Sequence, residues 1–487
     1  MAQNAAVWER SLPSSGYQVV DVLMAGGYVY AGSNGYAYKL DGTDGTVIQS
    51  NGLSGRGYNE IRLAATSSCL IVGTNGYVLG LDLSTLTTKW QTSLPDSGYQ
   101  VVSVLTIGDT VYAGSNGYVY KLDGATGSVL ETNNLSGMGY NEIRLAVAFN
   151  YLIVGTNGYV LALSLATLSE SWRRSLPSSG YQVVNFVCSP SAIYAGSNGY
   201  VYQLDSSGSV QSQNDLSGRG YNEVRLALTG QTLVVGTNGY VLGLSSSGLF
   251  TNWQTSLPGS GYQIVSVLTN GDTIFAGSNG LVYSLDAGTG AVIGEEGLSG
   301  LGYHEIRLAM NGLSLVMGTN GYVACSPISM YEYPLQYQLQ TNWCWAAVTA
   351  AVSTFFNSNS NWTQCALANT AFAQSTCCQD GSSSACNKPW YVNRSLQITG
   401  NFASYDGSNE AIAVIGGEVA ARRPLGAGII WSSGTTGHAM ALTGVHPNGT
   451  IDVQDPWYGF STLTWEAFAT SYQGDGTWTS SYFTKSN

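Results

Sequence analysis

The sequence predicts a multidomain protein in which an all-β eight-bladed propeller with four-stranded blades precedes an α+β domain. A Gly-Tyr pair recurs eight times, and its tyrosines are Tyr17, Tyr58, Tyr99, Tyr140, Tyr181, Tyr221, Tyr262 and Tyr303. An Asn-Gly pair has the same spacing, and its asparagines are Asn34, Asn75, Asn116, Asn157, Asn198, Asn238, Asn279 and Asn320. A period near 40 residues with short alternating strands is typical of propeller blades. The spacing ends after Tyr322, so we place the propeller at residues 1–328 and the second domain at 329–487.

The composition limits the classes of function. The chain has 487 residues, more than one hydrophobic core usually serves, which favours two domains. Its net charge of −12 argues against nucleic acid as a partner, because such binding depends on clustered Lys and Arg. No run of about 18 apolar residues is present, so we expect no membrane span. The first residues show no basic and apolar leader, so we expect that the protein is cytoplasmic, is secreted by a non-classical route, or is shown here without its leader.

Each repeat reads as four strands joined by tight turns. In the first repeat we expect strands at Tyr17–Leu23, Tyr28–Gly32, Tyr36–Leu40 and Thr46–Gln49. The Asn-Gly corner between the second and third strands is typical of a hairpin turn, since both residues tolerate positive φ. Stretches such as Val111–Asp123 resemble the repeats of quinoprotein-like propellers over about residues 8–325. The resemblance implies the fold more than any activity.

The first strand of the chain is predicted to close the propeller ring. Even-numbered repeats end in a tryptophan strand, at Trp90, Trp172 and Trp253, but the eighth repeat has no such ending. Trp8 lies before the first repeat in the matching context Trp-x-x-Ser-Leu-Pro. We therefore expect the strand around Trp8 to complete blade eight, which removes the open sheet edges that promote aggregation.

The repeated loops suggest several equal binding sites. The Gly-Tyr-Gln or Gly-Tyr-Asn loops and the Asn-Gly turns are expected on one face of the propeller, where aromatic rings and amides together suit sugars. This favours a multivalent lectin with glycans or glycoproteins as partners. A purely structural role of the repeated glycines and tyrosines is the alternative, and Glu60 and Arg62 are predicted to form a structural ion pair. The candidate contacts are Tyr17, Gln18, Tyr58, Asn59, Tyr99, Gln100, Tyr140, Asn141, Tyr181, Gln182, Tyr221, Asn222, Tyr262, Gln263, Tyr303 and His304.

The cysteines fall into two groups. Cys69, Cys188 and Cys325 are scattered through the repeats and are expected to be buried strand residues. The other group crowds into the second domain and comprises Cys365, Cys377, Cys378 and Cys386. These four can form two disulfides in one of three connectivities, bind zinc or remain free thiols, and we favour disulfides. Disulfides imply an oxidising compartment, in tension with the missing leader.

A single cysteine opens the second domain. The apolar stretch after Cys344 predicts a buried helix to about Phe356, with Asn342 or Thr341 as N-cap. A thiol in the first turn feels the positive end of the helix dipole, which favours the nucleophilic thiolate. His438 begins a predicted strand, and Asp455 ends a neighbouring one. Antiparallel pairing of these strands is expected to bring Asp455 to the imidazole.

The motifs Cys344-Trp-Ala-Ala, Gly-His438-Ala and Asp455-Pro-Trp resemble those of papain-like cysteine peptidases over about residues 330–487. The resemblance is closest to the compact bacterial and fungal branch that includes bacteriocin-processing peptidases and plant-pathogen effector proteases. It implies an endopeptidase that acts on a polypeptide at Cys344, with His438 as general base and acid and Asp455 orienting the imidazole. Gln338, with Gln340 as second choice, would stabilise the oxyanion, and no cofactor would be required.

Two departures from papain itself leave its substrate pockets in doubt: the Cys-Gly-Ser-Cys-Trp run is absent, and the Cys-to-His spacing is shorter. The combination of domains is similar to mushroom agglutinins that join a sugar-binding domain to a papain-like domain. That similarity implies a lectin-protease with a defence or toxin role, and it suggests that calcium affects the peptidase, although no clear calcium loop is present. The alternatives are a protein-binding propeller that presents one substrate to the peptidase and a non-catalytic adhesin.

Overall fold

A computed structural model gives the fold. It describes residues 8–16, 18–53, 56, 60–95, 97, 100–135, 138, 142–179, 182–216, 219, 223–260, 263–298, 305–310, 314–330, 333–434, 437–446 and 448–486. The chain forms two compact units, the first comprising Met1–Asn311 with Leu315–Ser326 and the second comprising Gly312–Ser314 with Pro327–Asn487.

The first unit is a ring of four-stranded antiparallel blades, as the sequence predicts. Strand β1 (Trp8–Ser11) precedes seven blades whose strands pair in chain order. These strands are β2–β5 (Asp21–Ala25, Tyr28–Ser33, Tyr36–Asp41, Val47–Gly52), β6–β9 (Arg62–Ala65, Cys69–Thr74, Tyr77–Asp82, Thr88–Ser93), β10–β13 (Ser103–Ile107, Thr110–Ser115, Tyr118–Asp123, Val129–Asn133), β14–β17 (Arg144–Ala148, Tyr151–Thr156, Tyr159–Ser164, Glu170–Ser175), β18–β21 (Asn185–Cys188, Ile193–Ser197, Tyr200–Leu204, Val210–Asn214), β22–β25 (Arg225–Thr229, Thr232–Thr237, Tyr240–Ser245, Thr251–Ser256) and β26–β29 (Ser266–Asn270, Thr273–Ser278, Leu281–Asp286, Val292–Gly297).

The innermost strand of the first blade begins later than the sequence suggests, at Asp21 rather than at position 17. The reason is that the carbonyl of Gln18 accepts a hydrogen bond from the Gly321 backbone N–H, 3.1 Å away, in blade eight. Gln100, Gln182 and Gln263 make the same backbone contact with the Asn-Gly turn of the preceding even-numbered blade. These contacts bring the two kinds of repeated loop together between neighbouring blades.

Blade eight contains β30 (Arg307–Met310), β31 (Ser314–Thr319), β32 (Tyr322–Ser329) and β1. Strand β1 pairs antiparallel with β32, so that Trp8 lies opposite Cys325. The Trp8 indole N–H donates to the Gly42 carbonyl at 3.2 Å, the same contact that Trp90 makes with Gly124 at 3.0 Å. The predicted closure of the ring by the N-terminal strand is therefore confirmed.

The repeated turns and tyrosines have structural roles that differ between the two kinds of blade. In the odd-numbered blades the turn asparagine itself has positive φ, for example 46° at Asn34. In the even-numbered blades only the following glycine does, as at Gly76 with 75°. Four equivalent strand tyrosines donate a hydrogen bond to a proline carbonyl in the loop before their blade, and they are Tyr38, Tyr120, Tyr202 and Tyr283. These strand tyrosines, which differ from the tyrosines of the Gly-Tyr pairs, therefore serve the fold.

Four arginines and four glutamates of the even-numbered blades form a closed ring of ion pairs. Each arginine binds the glutamate of its own blade and the glutamate of another even-numbered blade. The contacts are Arg62–Glu60 (2.5 Å), Arg62–Glu142 (2.6 Å), Arg144–Glu142 (2.6 Å), Arg144–Glu223 (2.7 Å), Arg225–Glu223 (2.6 Å), Arg225–Glu305, Arg307–Glu305 (3.2 Å) and Arg307–Glu60 (2.5 Å). The predicted Glu60–Arg62 pair is confirmed as one link of this ring.

The second unit is an α+β domain, also as predicted. Its described helices are α1 (Cys344–Phe356), α2 (Gln364–Phe372), α3 (Val392–Thr399), α4 (Ile412–Ala420) and α5 (Trp465–Ser471). Its strands are β33 (Phe402–Asp406), β34 (Leu425–Trp431), β35 (Gly437–Val445), β36 (Thr450–Asp455), β37 (Gly459–Thr464) and β38 (Gly476–Thr484), which form an antiparallel sheet in the order β33-β38-β34-β35-β36-β37. Helix α1 is buried from Trp345 to Ser353 and packs against β35.

Candidate active site

Cys344 is the first residue of α1 and is partly exposed. The helix runs to Phe356 as expected, but the prediction of Asn342 or Thr341 as N-cap is wrong. Trp343 occupies that position and its side chain does not cap the helix, while the Asn342 side chain donates to the Asn387 carbonyl at 3.0 Å. The first N–H groups of a helix have no intrahelical acceptors. In α1 the N-cap residue supplies no side-chain acceptor for them.

A short segment around residue 387 fixes both neighbours of Cys344. The indole N–H of Trp343 donates to the Cys386 carbonyl at 2.9 Å, and that of Trp345 donates to the Lys388 carbonyl at 3.1 Å. Both tryptophans are almost completely buried. Because buried indole N–H groups need acceptors, these two bonds set the orientation in which the first turn of α1 presents Cys344.

Two disulfides hold this segment in place. The bonds are Cys365–Cys378 and Cys377–Cys386, so the second anchors the residue whose carbonyl binds Trp343. The four cysteines therefore form disulfides, and neither the zinc nor the free-thiol alternative applies to them. Of the scattered cysteines, Cys69 and Cys325 are buried as expected, while Cys188 is only partly buried.

His438 and Asp455 meet across neighbouring strands of the sheet. His438 lies at the start of β35, Asp455 lies at the end of β36, and these strands pair antiparallel. The imidazole Nε2 is 2.8 Å from Asp455 Oδ1, and His438 lines the same two cavities as Cys344. Since Nε2 is engaged by the carboxylate, Nδ1 is the nitrogen that remains for the sulfur. The structure thus brings together the cysteine, histidine and aspartate predicted from the sequence.

The surroundings favour a charged imidazole. Burial opposes the charge, but the hydrogen bonds to Asp455 and Cys344 outweigh it and raise the pKa of His438 to about 9. Burial likewise disfavours a charged Asp455, yet the hydrogen bond and positive charge of His438 hold the pKa of Asp455 below its ordinary value. An imidazolium beside a sulfur at a helix N-terminus stabilises negative charge on that sulfur.

Cys344 and His438 lie where two cavities meet. One has a volume of about 430 Å³ and the other about 270 Å³, and both are lined by Cys344, Pro389, Gly437 and His438. The larger one continues along aromatic residues such as Trp390, Tyr405 and Tyr482, and the smaller one along Gln338 and Trp457. The shared lining indicates one cleft with the sulfur and the imidazole at its middle, a form that suits an extended chain lying across them.

Gln338 lines the smaller cavity with Cys344, but its amide nitrogen is already engaged by two backbone carbonyls. Nε2 donates to the carbonyls of Gln340 at 2.8 Å and Thr341 at 3.0 Å. The amide oxygen is buried and has no hydrogen-bond partner among the described residues. Gln340, the second choice from the sequence, contributes its backbone carbonyl to this contact and does not line either cavity.

Three aromatic residues that sequence reasoning missed surround the imidazole and its carboxylate. The Trp431 ring stacks on His438 at 6.2 Å between ring centres, and Tyr458 approaches it edge-on at 6.3 Å. The Tyr472 hydroxyl donates to Asp455 Oδ2 at 2.7 Å. Trp431 and Tyr472 lie on separate elements, outside the three motifs. Only the position of Tyr458 next to Asp455-Pro-Trp gave any signal in the sequence.

Most of the candidate glycan contacts lie outside the described residues, including every tyrosine of that set. The exceptions are Gln18, Gln100, Gln182 and Gln263, whose side chains are all exposed. The described residues contain no cluster of three or more His, Cys, Asp or Glu side chains placed to hold a metal ion. Within the same part of the chain, no helix has the length and apolar character needed to cross a membrane.

Comparisons with known proteins agree with this architecture. Residues 2–205 match the family model described as outer membrane protein assembly factor BamB, and residues 330–480 match the Peptidase_C39-like family. A comparison with curated proteins finds no match.

Several solved structures are similar to this chain over about two thirds of its length. BamB from Moraxella catarrhalis is 18% identical with a TM-score of 0.51, covering 65% of this chain and 97% of its own. The computationally designed Ika8 protein is 18% identical with a TM-score of 0.53, covering 67% and 100%. Sqt1 from Saccharomyces cerevisiae is 14% identical with a TM-score of 0.54, covering 67% and 99%. At these identities the likeness concerns the fold alone. The chain thus joins a propeller of the BamB and quinoprotein type to a Peptidase_C39-like domain, which is a cysteine-peptidase domain of the papain-like kind.

Proposed function

We propose that the second unit is a cysteine endopeptidase with Cys344 as nucleophile, His438 as general base and acid, and Asp455 as the residue that orients the imidazole. The observation that carries the proposal is that His438 hydrogen-bonds Asp455 and lines, together with Cys344, both cavities of the cleft. A thiolate paired with an imidazolium is the reactive form of a catalytic cysteine.

In this proposal the Cys344 thiolate attacks the carbonyl carbon of a peptide bond, and the C=O electron pair moves to oxygen. His438 then donates its Nδ1 proton to the leaving amine, and the C–N bond breaks to give a thioester. A water molecule, deprotonated by the now neutral His438, attacks the thioester carbonyl. Collapse of that intermediate releases the carboxylic acid and restores the thiolate with its imidazolium.

The oxyanion donors in this proposal are the Cys344 backbone N–H, at the start of α1, and the amide of Gln338. The position of Gln338 in the cavity beside Cys344 supports its inclusion. Its NH₂ group is bound to two backbone carbonyls in the free protein, so a role as donor requires the amide to turn when substrate binds. The unpartnered amide oxygen lowers the cost of that turn, because no hydrogen bond to it is lost.

Alkylation at neutral pH tests the nucleophile. Iodoacetamide is expected to label Cys344 selectively, because the imidazolium stabilises its thiolate, and to abolish peptide hydrolysis. Cys188 is the matched control: burial raises its pKa to about 11, so it stays a thiol at neutral pH. Mass spectrometry of the wild type, Cys344→Ala and Cys188→Ala would locate the label. Equal labelling of wild type and Cys344→Ala would contradict the assignment.

The pH dependence of hydrolysis follows from the pKa of His438, raised to about 9 from its ordinary 6.5. The imidazolium that protonates the leaving amine is therefore present through neutral pH and is lost as the pH rises through about 9. We expect kcat/KM for a peptide amide to fall above that pH, whereas the alkylation rate, which needs only the thiolate, does not fall. A decline of hydrolysis already centred near 6.5 would argue against the ion pair.

For the propeller, residues 1–328, we propose multivalent glycan binding that brings the peptidase to its target, consistent with a toxin or defence protein. The supporting observation is that Gln18, Gln100, Gln182 and Gln263 expose equivalent amides beside equivalent turns of the preceding blade. A glycan array probed with the full-length Cys344→Ala protein tests it. Binding that is lost on mutating all four glutamines supports the lectin role. No binding to any glycan favours a propeller that recognises a protein.

A further inference from the structure

The Asp455 carboxylate is fully engaged by fixed donors. Its Oδ1 faces His438 Nε2 at 2.8 Å and accepts the backbone N–H groups of Trp457 at 2.6 Å and Tyr458 at 3.0 Å. Among the described residues, its Oδ2 has one donor, the Tyr472 hydroxyl at 2.7 Å. Asp455 is completely buried and Tyr472 is 1% exposed, so bulk water does not compete for these bonds.

The Tyr472 ring cannot readily move away from this position. Its backbone N–H donates to the Gly476 carbonyl, and its carbonyl accepts from the Gly476 N–H, both at 2.8 Å. Phe468 packs edge-on against the ring at 5.3 Å. Burial and the neighbouring Asp455 charge raise the pKa of Tyr472, so the phenol keeps its proton and acts as donor. The direction of this hydrogen bond is thereby set.

A second contact links Tyr472 to the imidazole through an aromatic ring. Trp431 stacks on His438 with an angle of 21° between the ring planes and on Tyr472 with an angle of 27°. Tyr458 meets both His438 and Tyr472 edge-on. The plane of the imidazole and the orientation of the carboxylate are therefore fixed by the same group of rings. Neither cavity of the cleft is lined by Tyr472, which places it behind the reacting groups.

We propose that Tyr472 is a positioning residue whose hydroxyl holds the Asp455 carboxylate in the orientation that keeps His438 directed at Cys344. This inference rests on the proposed cysteine-peptidase function. Without the hydroxyl, Oδ2 has no hydrogen-bond donor in a site that excludes water. Rotation of the carboxylate toward other donors then lowers its free energy. Rotation removes Oδ1 from its alignment with Nε2, and small misplacements of catalytic groups lower rates strongly.

The test is Tyr472→Phe in the full chain, which removes one oxygen and keeps the ring. We expect kcat to fall about tenfold with KM nearly unchanged, because Tyr472 does not line the cleft. The alkaline decline of hydrolysis should move below pH 9, since a less well aligned Asp455 holds the imidazolium proton less firmly. The matched control is Tyr333→Phe, which removes a buried hydroxyl that has no hydrogen-bond partner in the structure and should change neither quantity.

A double-mutant cycle separates positioning from a merely structural role. If Tyr472 acts through Asp455, Tyr472→Phe should change the rate less than twofold in an Asp455→Asn background. 4-Aminophenylalanine at position 472 keeps an N–H donor and should restore most of kcat, and it provides a second variant should Tyr472→Phe fold poorly. Wild-type kcat and an unshifted pH profile in Tyr472→Phe would overturn the inference. A wild type without Cys344-dependent hydrolysis would instead overturn the proposed function.

Discussion

Replacing His438 with alanine is expected to lower kcat for peptide hydrolysis by about 10⁴-fold or more. Loss of the histidine from a nucleophile–histidine–aspartate set costs on that order, because the base that prepares the nucleophile and the acid that serves the leaving group disappear together. In this chain the imidazole also supplies the positive charge beside Cys344. Alkylation of Cys344 at neutral pH should therefore slow in the same variant. Steady-state hydrolysis and timed iodoacetamide labelling would measure the two effects.

The protein contains its own matched control for this experiment. His446 also pairs with a buried carboxylate, Asp452, at 2.8 Å, but neither residue lines the cleft. Asp452 keeps the Thr462 hydroxyl as a donor when the imidazole is removed. His446→Ala should therefore leave kcat within about twofold of the wild type. If the two histidine variants lose activity equally, the assignment of His438 is wrong.

Replacing Arg62 with methionine is expected to destabilise the propeller by about 3 kcal/mol, since removing one member of a buried charge pair leaves the other charges poorly compensated. Arg62 binds both Glu60 and Glu142 and is 7% exposed. The remaining arginines of the ring still contact both glutamates, so we expect the lower end of the range for buried pairs. Urea unfolding of the full chain would measure the loss of stability. Hydrogen exchange of peptides from β6 and β7, followed by mass spectrometry, would assign that loss to the propeller.

An exposed pair in the same propeller provides the comparison. Arg173 contacts Glu170, and both side chains are about a third exposed. Solvent screens such pairs, so Arg173→Met should cost less than about 1 kcal/mol. Acid gives an independent check: burial disfavours a charged Glu60, but Arg62 and Arg307 outweigh it and lower its pKa to about 2. The contribution of the charged Glu60 to the stability of the folded propeller is fully present above about pH 4.5. It disappears as the pH falls through 2. Equal losses in the two arginine variants would show that the ring adds no stability.

The sequence predicted those features that depend on repetition or on a short motif. The regular spacing of the asparagines placed the turn between the second and third strands of each blade, and the context of Trp8 predicted the closure of blade eight. The motifs around Cys344, His438 and Asp455 predicted residues that the sheet and α1 bring together. Each of these signals is local: a few adjacent residues carry the information, and hydrophobic burial then decides which elements meet.

What could not be predicted depends on contacts between residues far apart in the chain. Tyr472 has no motif, and its partner Asp455 is reached only because α5 ends beside β36. The Glu60–Arg62 pair was expected within one strand, but its bonds to other blades follow from the circular arrangement of the even-numbered blades. The N-cap was predicted wrongly because Asn342 has a better partner in Asn387, a residue fixed by the disulfide at Cys386. Local propensity gives way to tertiary hydrogen bonds in each case.

The pairing of Trp8 with Cys325 has a consequence for how the chain is made. During synthesis the first strand leaves the ribosome long before its partner exists, and joining the two ends must overcome the entropy of closing almost the whole repeat region into a loop. Contacts so distant in sequence slow folding. The ring therefore cannot close before translation reaches the start of the second unit, so Cys344 is synthesised when the first unit is only just complete.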